Sequence, residues 1–202
     1  MRVLVVAPAE DPVAEALSGL GLEVTRDGLD AEGLVTVTPE PELAGLADLD
    51  PAAWEAAIRR GAEEPFFAAQ PWLRAARARG SGSWVAVTSA LGTQPYPLGG
   101  AAGAAALMLQ TLVRVAALEG GPHGVRANAV APGWRQDGVP GGLDPALALA
   151  DTPLRQLATA GDVAATVAWL LSPAAAHVTG EVVRVDGGYT ITKGSRPDPR
   201  KE

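Results

Sequence analysis

The chain has 202 residues, of which 48% are hydrophobic, with a formal net charge of −7 and an isoelectric point near 4.9. That length suits one compact domain, here read as 1–192 followed by a flexible tail at 193–202, and the acidity argues against nucleic acid, whose phosphates are held by clustered Lys and Arg. With no cysteine and only two histidines, disulfides, thiolate catalysis and cysteine metal sites are excluded, and no metal is expected.

Residues 2–7, RVLVVA, form a nearly continuous apolar run, the pattern of a strand buried on both faces. Asp11-Pro12 then opens a helix, with Asp as N-cap and Pro at the first helical position. LEVTR (22–26) and GLVTV (33–37) read as strands. A second Asp-Pro, at 50–51, opens a helical region that runs to about Arg79 and stops at Gly80. SWVAVTS (83–89) is a further buried strand, 101–119 a helix ending at Gly120-Gly121, and VRANAVAP (125–132) another strand. Residues 133–152 are rich in Gly and Pro with weak periodicity, 161–172 is an amphipathic helix, and EVVRVDGG closes the sheet. The sum is a three-layer α/β fold with a mainly parallel sheet. The opening apolar run is too short for a signal peptide and no later segment reads as a membrane span, so a cytoplasmic protein without membrane contact is expected.

GSGSWVAVTSALG (80–92), HGVRANAVAPGW (123–134) and DTPLRQLATAGDVAATVAWLLSPAAAHVTGEVVRVDGGY (151–189) resemble the short-chain dehydrogenase/reductase family, which implies a Rossmann-like, doubly wound parallel sheet. The resemblance implies a nicotinamide cofactor on a Gly-rich turn after the first strand, but this chain has APAEDP there. Glu10 and Asp11 place carboxylates where phosphates would lie, and an Asp11 cap competes for the same N–H donors. Only Asp27 to Glu32 stand between the second and third strands, so the helix, strand and helix that help form the family's adenine pocket are expected to be missing. No cofactor is expected.

The family's proton transfer uses a serine, a tyrosine thirteen positions on and a lysine four beyond. Ser89 matches the serine, whereas the other two positions are Ala102 and Ala106, and the family's helix asparagine aligns with Gly61. No local misalignment restores the set, because the only lysines are Lys193 and Lys201, the only tyrosines Tyr96 and Tyr189, and the only asparagine Asn128. The related halohydrin dehalogenases need a tyrosine and an arginine at the same two alanine positions.

The remaining candidates each have a plainer alternative. Ser89, at a strand's C-terminal end, is either a polar anchor for a substrate or a cap for nearby backbone. Tyr96 is either a hydrogen-bond donor to a ligand or a packing residue between prolines; with no lysine beside it, a phenol is a poor base at neutral pH. Glu40, with Glu42, either points into the cleft as an acid or base or is a solvated loop acid. Trp134 walls an apolar pocket, while Arg135 and Asp137 either join it or pair at the surface. His123 and His177 read as exposed turn residues. The smooth Ala and Gly face of 101–119, including Ala104 and Ala105, corresponds to the helix with which the family builds an intersubunit four-helix bundle, so it either keeps that interface role or packs in the core of the monomer. These features lead to a pseudoenzyme acting as a homo-oligomer or beside an active relative. A cofactor-independent lyase, isomerase or cyclase, and a binder of a small apolar ligand, stand as the alternatives.

Overall fold

Six parallel strands, β1 (Arg2–Val6), β2 (Glu23–Thr25), β3 (Gly33–Val37), β4 (Gly82–Val87), β5 (Val125–Pro132) and β6 (Val182–Val185), form a sheet in the order β2-β1-β3-β4-β5-β6 in the computed structural model. The structure describes residues 1–138 and 144–192; the tail expected at 193–202 lies outside the described residues. The flanking helices are α1 (Pro12–Ser18), α2 (Pro51–Ile58), α3 (Glu64–Arg79), α4 (Gly100–Gly120), α5 (Pro145–Ala150) and α6 (Ala160–Leu171). Side chains alternate across each strand. Val3, Val5, Val35 and Val85 pack with Leu17 of α1 and Val163 and Val167 of α6. Leu4, Leu34 and Trp84 pack on the other face with Trp72 of α3 and Leu109 and Val113 of α4. Both faces are covered, which is why the strands read as unbroken apolar runs.

Both Asp-Pro helix starts form as expected. The Asp11 carboxylate accepts from Val13 N and Ala14 N at 3.0 Å, and that of Asp50 from Ala53 N at 2.8 Å. The single helix expected over 50–79 is instead two, joined by a π-helical turn at Arg59–Glu63. Pro65 accounts for the widening, since in a regular helix its ring would press on the carbonyl of Gly61, four residues back. Strand β4 stops at Val87, two residues short of the expected end, and the segment expected to be irregular contains the short helix α5.

β2 and β3 lie on opposite sides of β1, yet only a short loop joins them. No helix or strand intervenes, as the spacing predicts. Arg2 holds this loop from below, with Nη1 on Asp30 Oδ2 at 2.5 Å and its backbone N–H on Glu32 Oε2 at 3.2 Å. From the side, Trp72 Nε1 and Arg79 Nη2 both donate to the Ala31 carbonyl, at 2.9 and 3.1 Å.

Helix α4 corrects one expectation and takes the plainer alternative of another. The segment Gly100–His123 is long and apolar enough to cross a membrane by length and composition, contrary to the sequence reading, but it lies along the sheet with Leu109 and Val113 fully buried. Half of its smooth face packs inside the chain, while Ala102, Gly103 and Ala104 are half-buried. Ala101, Ala105 and Ala106 are buried, and a Cβ on Gly61 would sit 2.8 Å from that of Ala105, so the helix that approaches closely is the chain's own α2–α3. The outward side carries Leu107, Met108, Val115 and Leu118 instead.

Candidate functional site

Because the chain leaves β1 toward β2 and then returns to add β3 on the other side, the strand order switches beside β3, and loops diverge there at the strands' C-terminal ends. A cavity of about 80 Å³ opens at this place, between the ends of β3, β4 and β5 on one side and α2 and α4 on the other. Glu40, Ser89, Trp134 and Arg135 all line it, so parallel strand ends bring these four sequence candidates together, while Tyr96 and Glu42 are not among the lining residues. Ala102 and Ala106 line it as well, and with Ala57, Ala105, Val87 and Leu91 they make most of the wall apolar.

The polar side of the cavity is an ion cluster. Arg135 Nη2 lies 2.6 Å from Glu40 Oε1, and the same guanidinium grips Asp137 through Nε at 3.0 Å and Nη2 at 2.8 Å. The sequence reading allowed a surface pairing of Arg135 and Asp137. The pairing is present, but Arg135 is only 8% exposed, which makes it part of the site. Partial burial pushes the Glu40 carboxyl above the usual carboxylate range, Arg135 pulls it back, and Asp137 and Asp11 push it up again. The Glu40–Arg135 pair also ties the loop after β3 to the loop after β5, across the end of β4. Glu42 goes elsewhere, to Arg60 at 2.7 Å.

Ser89 takes the capping role of its two alternatives. Its Oγ caps a short turn by accepting from Leu91 N at 3.2 Å, and the residue still lines the cavity. Tyr96 is not among the lining residues and has a packing role, its ring edge-on to Trp134 at 5.0 Å between centroids. Tyr189 also packs edge-on against Trp134, at 5.5 Å between centroids, and the indole is 6% exposed. His123 and His177 are exposed, as expected.

Sequence reasoning missed three residues. Tyr189 lines the cavity from the segment after β6, and Arg60 from the π turn. Gln110 is fully buried on α4, and its Nε2 donates to Thr88 Oγ1 at 3.1 Å and to the Ser89 carbonyl at 3.0 Å, fixing the backbone that carries Ser89. Only the placement of Gln110 four residues after Ala106, one turn along the same helix face, pointed to it.

The turn between β1 and α1 does not fit the pyrophosphate of a dinucleotide. The N–H groups of Val13 and Ala14, which such a group would need, already bind the Asp11 carboxylate, and Glu10 stands beside it at a left-handed φ of 56° without a glycine's freedom. Among the described residues, no three His, Cys, Asp or Glu side chains are grouped to hold a metal ion.

A profile of the family described as enoyl-(acyl carrier protein) reductase matches residues 34–190. The chain is 37% identical over 154 residues to cis-4-hydroxycyclohexanecarboxylate dehydrogenase of Sinomonas cyclohexanicum, covering 75% of this chain and 61% of that protein. It is 30% identical over 210 residues to galactitol 2-dehydrogenase (L-tagatose-forming) of Cereibacter sphaeroides, covering 92% of this chain and 82% of the other. The chain spans less than two thirds of the length of several curated relatives, the Sinomonas enzyme included. An oxidoreductase structure from Burkholderia thailandensis superposes with a TM-score of 0.77 at 24% identity, over 94% of this chain and 93% of that one, which speaks to the fold alone. The strand order, the matched stretch and relatives at this level of identity agree: the chain belongs to the short-chain dehydrogenase/reductase family.

Proposed function

We propose that this chain is a non-redox member of its family, a pseudoenzyme that works as a structural or regulatory subunit in an assembly of its own copies or with an active relative. One observation carries the reading. The cavity wall presents Ala102 and Ala106 where the family's tyrosine and lysine would fall, so no side chain there exchanges a proton with a carbonyl. The committed N–H donors of the first turn support the same conclusion. Support for assembly comes from the outer side of α4, where Leu107, Val115 and Leu118 recur at helical spacing and are 48, 42 and 78% exposed. Calorimetric titration with NAD and NADP is expected to give no heat, and sedimentation at micromolar concentration an oligomer that Leu118→Glu dissociates. Micromolar cofactor affinity, or a monomer under those conditions, overturns the proposal.

A second reading rests on Glu40, whose raised carboxyl shares the cavity with Ser89. A carboxyl of that kind serves a proton shift, addition or elimination, as in a lyase, isomerase or cyclase. Under this reading Glu40→Gln abolishes turnover, while Leu118→Glu leaves it intact.

A further inference from the structure

We propose that the cavity binds a small monocarboxylate with an apolar body, its carboxylate taken by Arg60. The proposal rests on the reading that no dinucleotide fills the cleft. Ala57, Arg60 and Gly61 share one helix face and all three line the cavity, opposite Ala102, Ala105 and Ala106 of α4. Two lining residues are cationic, and they differ in availability. Arg135 is almost fully buried and bound by Glu40 and Asp137 together. Arg60 is held at one point by Glu42, whose side chain is 76% exposed. An exposed pair of this kind is weak and exchangeable. A ligand carboxylate that replaces Glu42 gains the two-point match of carboxylate to guanidinium in a less hydrated place.

The rest of the cavity sets the class further. Val87, Leu91 and the alanines offer contacts to carbon, with the Ser89 hydroxyl as one additional polar group. Glu40 is paired with Arg135, so an ammonium would have to share that carboxylate with a guanidinium already in place. Asp11, Glu40 and Asp137 together outnumber Arg135, which disfavours a phosphate dianion near the strand ends. A cavity of about 80 Å³, at roughly 10–15 Å³ for each water-sized group, takes about five to eight non-hydrogen atoms.

Sodium hexanoate, 1-hexanol and hexylammonium chloride are the probes, titrated calorimetrically against the full chain. Hexanoate is expected to bind at least tenfold more tightly than the other two. Arg60→Gln lowers its affinity at least tenfold and leaves that of hexanol unchanged, whereas Glu42→Gln, by freeing the guanidinium, raises it about two- to fivefold. Equal affinity for the three probes, an Arg60→Gln variant that binds hexanoate normally, or weaker binding after Glu42→Gln overturns the proposal. The Glu42→Gln arm keeps the test open should Arg60→Gln fold poorly. NAD titrated into the same samples separates the two readings. NAD binding with intact, Arg60-dependent hexanoate binding overturns the cofactor reading alone, and loss of hexanoate binding without NAD binding overturns this one alone.

Discussion

Replacing Arg135 by methionine leaves a side chain of similar length and removes the one cation of the Glu40–Arg135–Asp137 cluster. For a fully buried pair, loss of one partner costs about 3–5 kcal/mol, because the other charge stays behind without compensation. Here the side chains of Glu40 and Asp137 are 46 and 25% exposed, so water recovers part of that loss. The expected cost is about 2–3 kcal/mol, the range of one or two charge-assisted hydrogen bonds. For a chain of this length it corresponds to a melting temperature lower by about 4–12 °C. Urea unfolding followed by tryptophan fluorescence measures it, with Trp134 reporting from beside the cluster. The cost should also grow with pH. Without Arg135 the Glu40 carboxyl is pushed higher still, and its ionisation above the ordinary carboxylate range then disfavours the folded state. The double variant Arg135→Met/Glu40→Gln should regain at least half of the loss. A single variant within 0.5 kcal/mol of the parent, or a double variant no better than the single, refutes the claim that this cluster holds the two loops together.

Three further outcomes follow from local geometry. Gly61→Ala sets two Cβ atoms 2.8 Å apart and should destabilise by about 1–3 kcal/mol in chemical denaturation, with Ala105→Gly in the same chain restoring most of it. Glu40 titrates higher in the folded than in the unfolded chain, so its contribution is fully present below the unfolded value and is lost as pH rises through the folded one; Glu40→Gln should flatten stability against pH in that window, and an unchanged profile counts against the raised carboxyl. Thr159 and Asp162 form a reciprocal cap on α6, with Asp162 Oδ2 accepting from Thr159 N at 2.8 Å; Thr159→Ala should cost about 1 kcal/mol in the same denaturation assay.

What the sequence made legible were features that depend on local pattern or on strand direction. Asp11-Pro12 and Asp50-Pro51 mark helix starts because cap and first residue are adjacent in the chain. Glu40, Ser89, Trp134 and Arg135 could be gathered in advance because each follows the end of a strand, and parallel strands end on one side. The Glu40–Arg135 pair was not legible, since nothing near either residue encodes a partner in another loop. The inward turn of Ala105 and the outward turn of Leu107 depend on the rotational phase of α4, and an alanine run carries too little periodicity to fix that phase. Arg60 escaped for a related reason: the π turn shifts the register of the helix that presents it.

The short passage from β2 to β3 changes the exposed rim of the sheet. β2 is the rim strand on this side, opposite β6, and has three residues, paired to β1 only from Arg2↔Glu23 to Leu4↔Thr25. A rim this brief, with Glu23 solvent-exposed at its start, offers too few free backbone groups in line to recruit a strand from another molecule. The loop that follows has no free carbonyl at Ala31, which Trp72 and Arg79 both occupy. The brevity of β2 therefore disfavours association through this side of the sheet, and the side chains that hold the short loop also occupy the backbone carbonyl beside it.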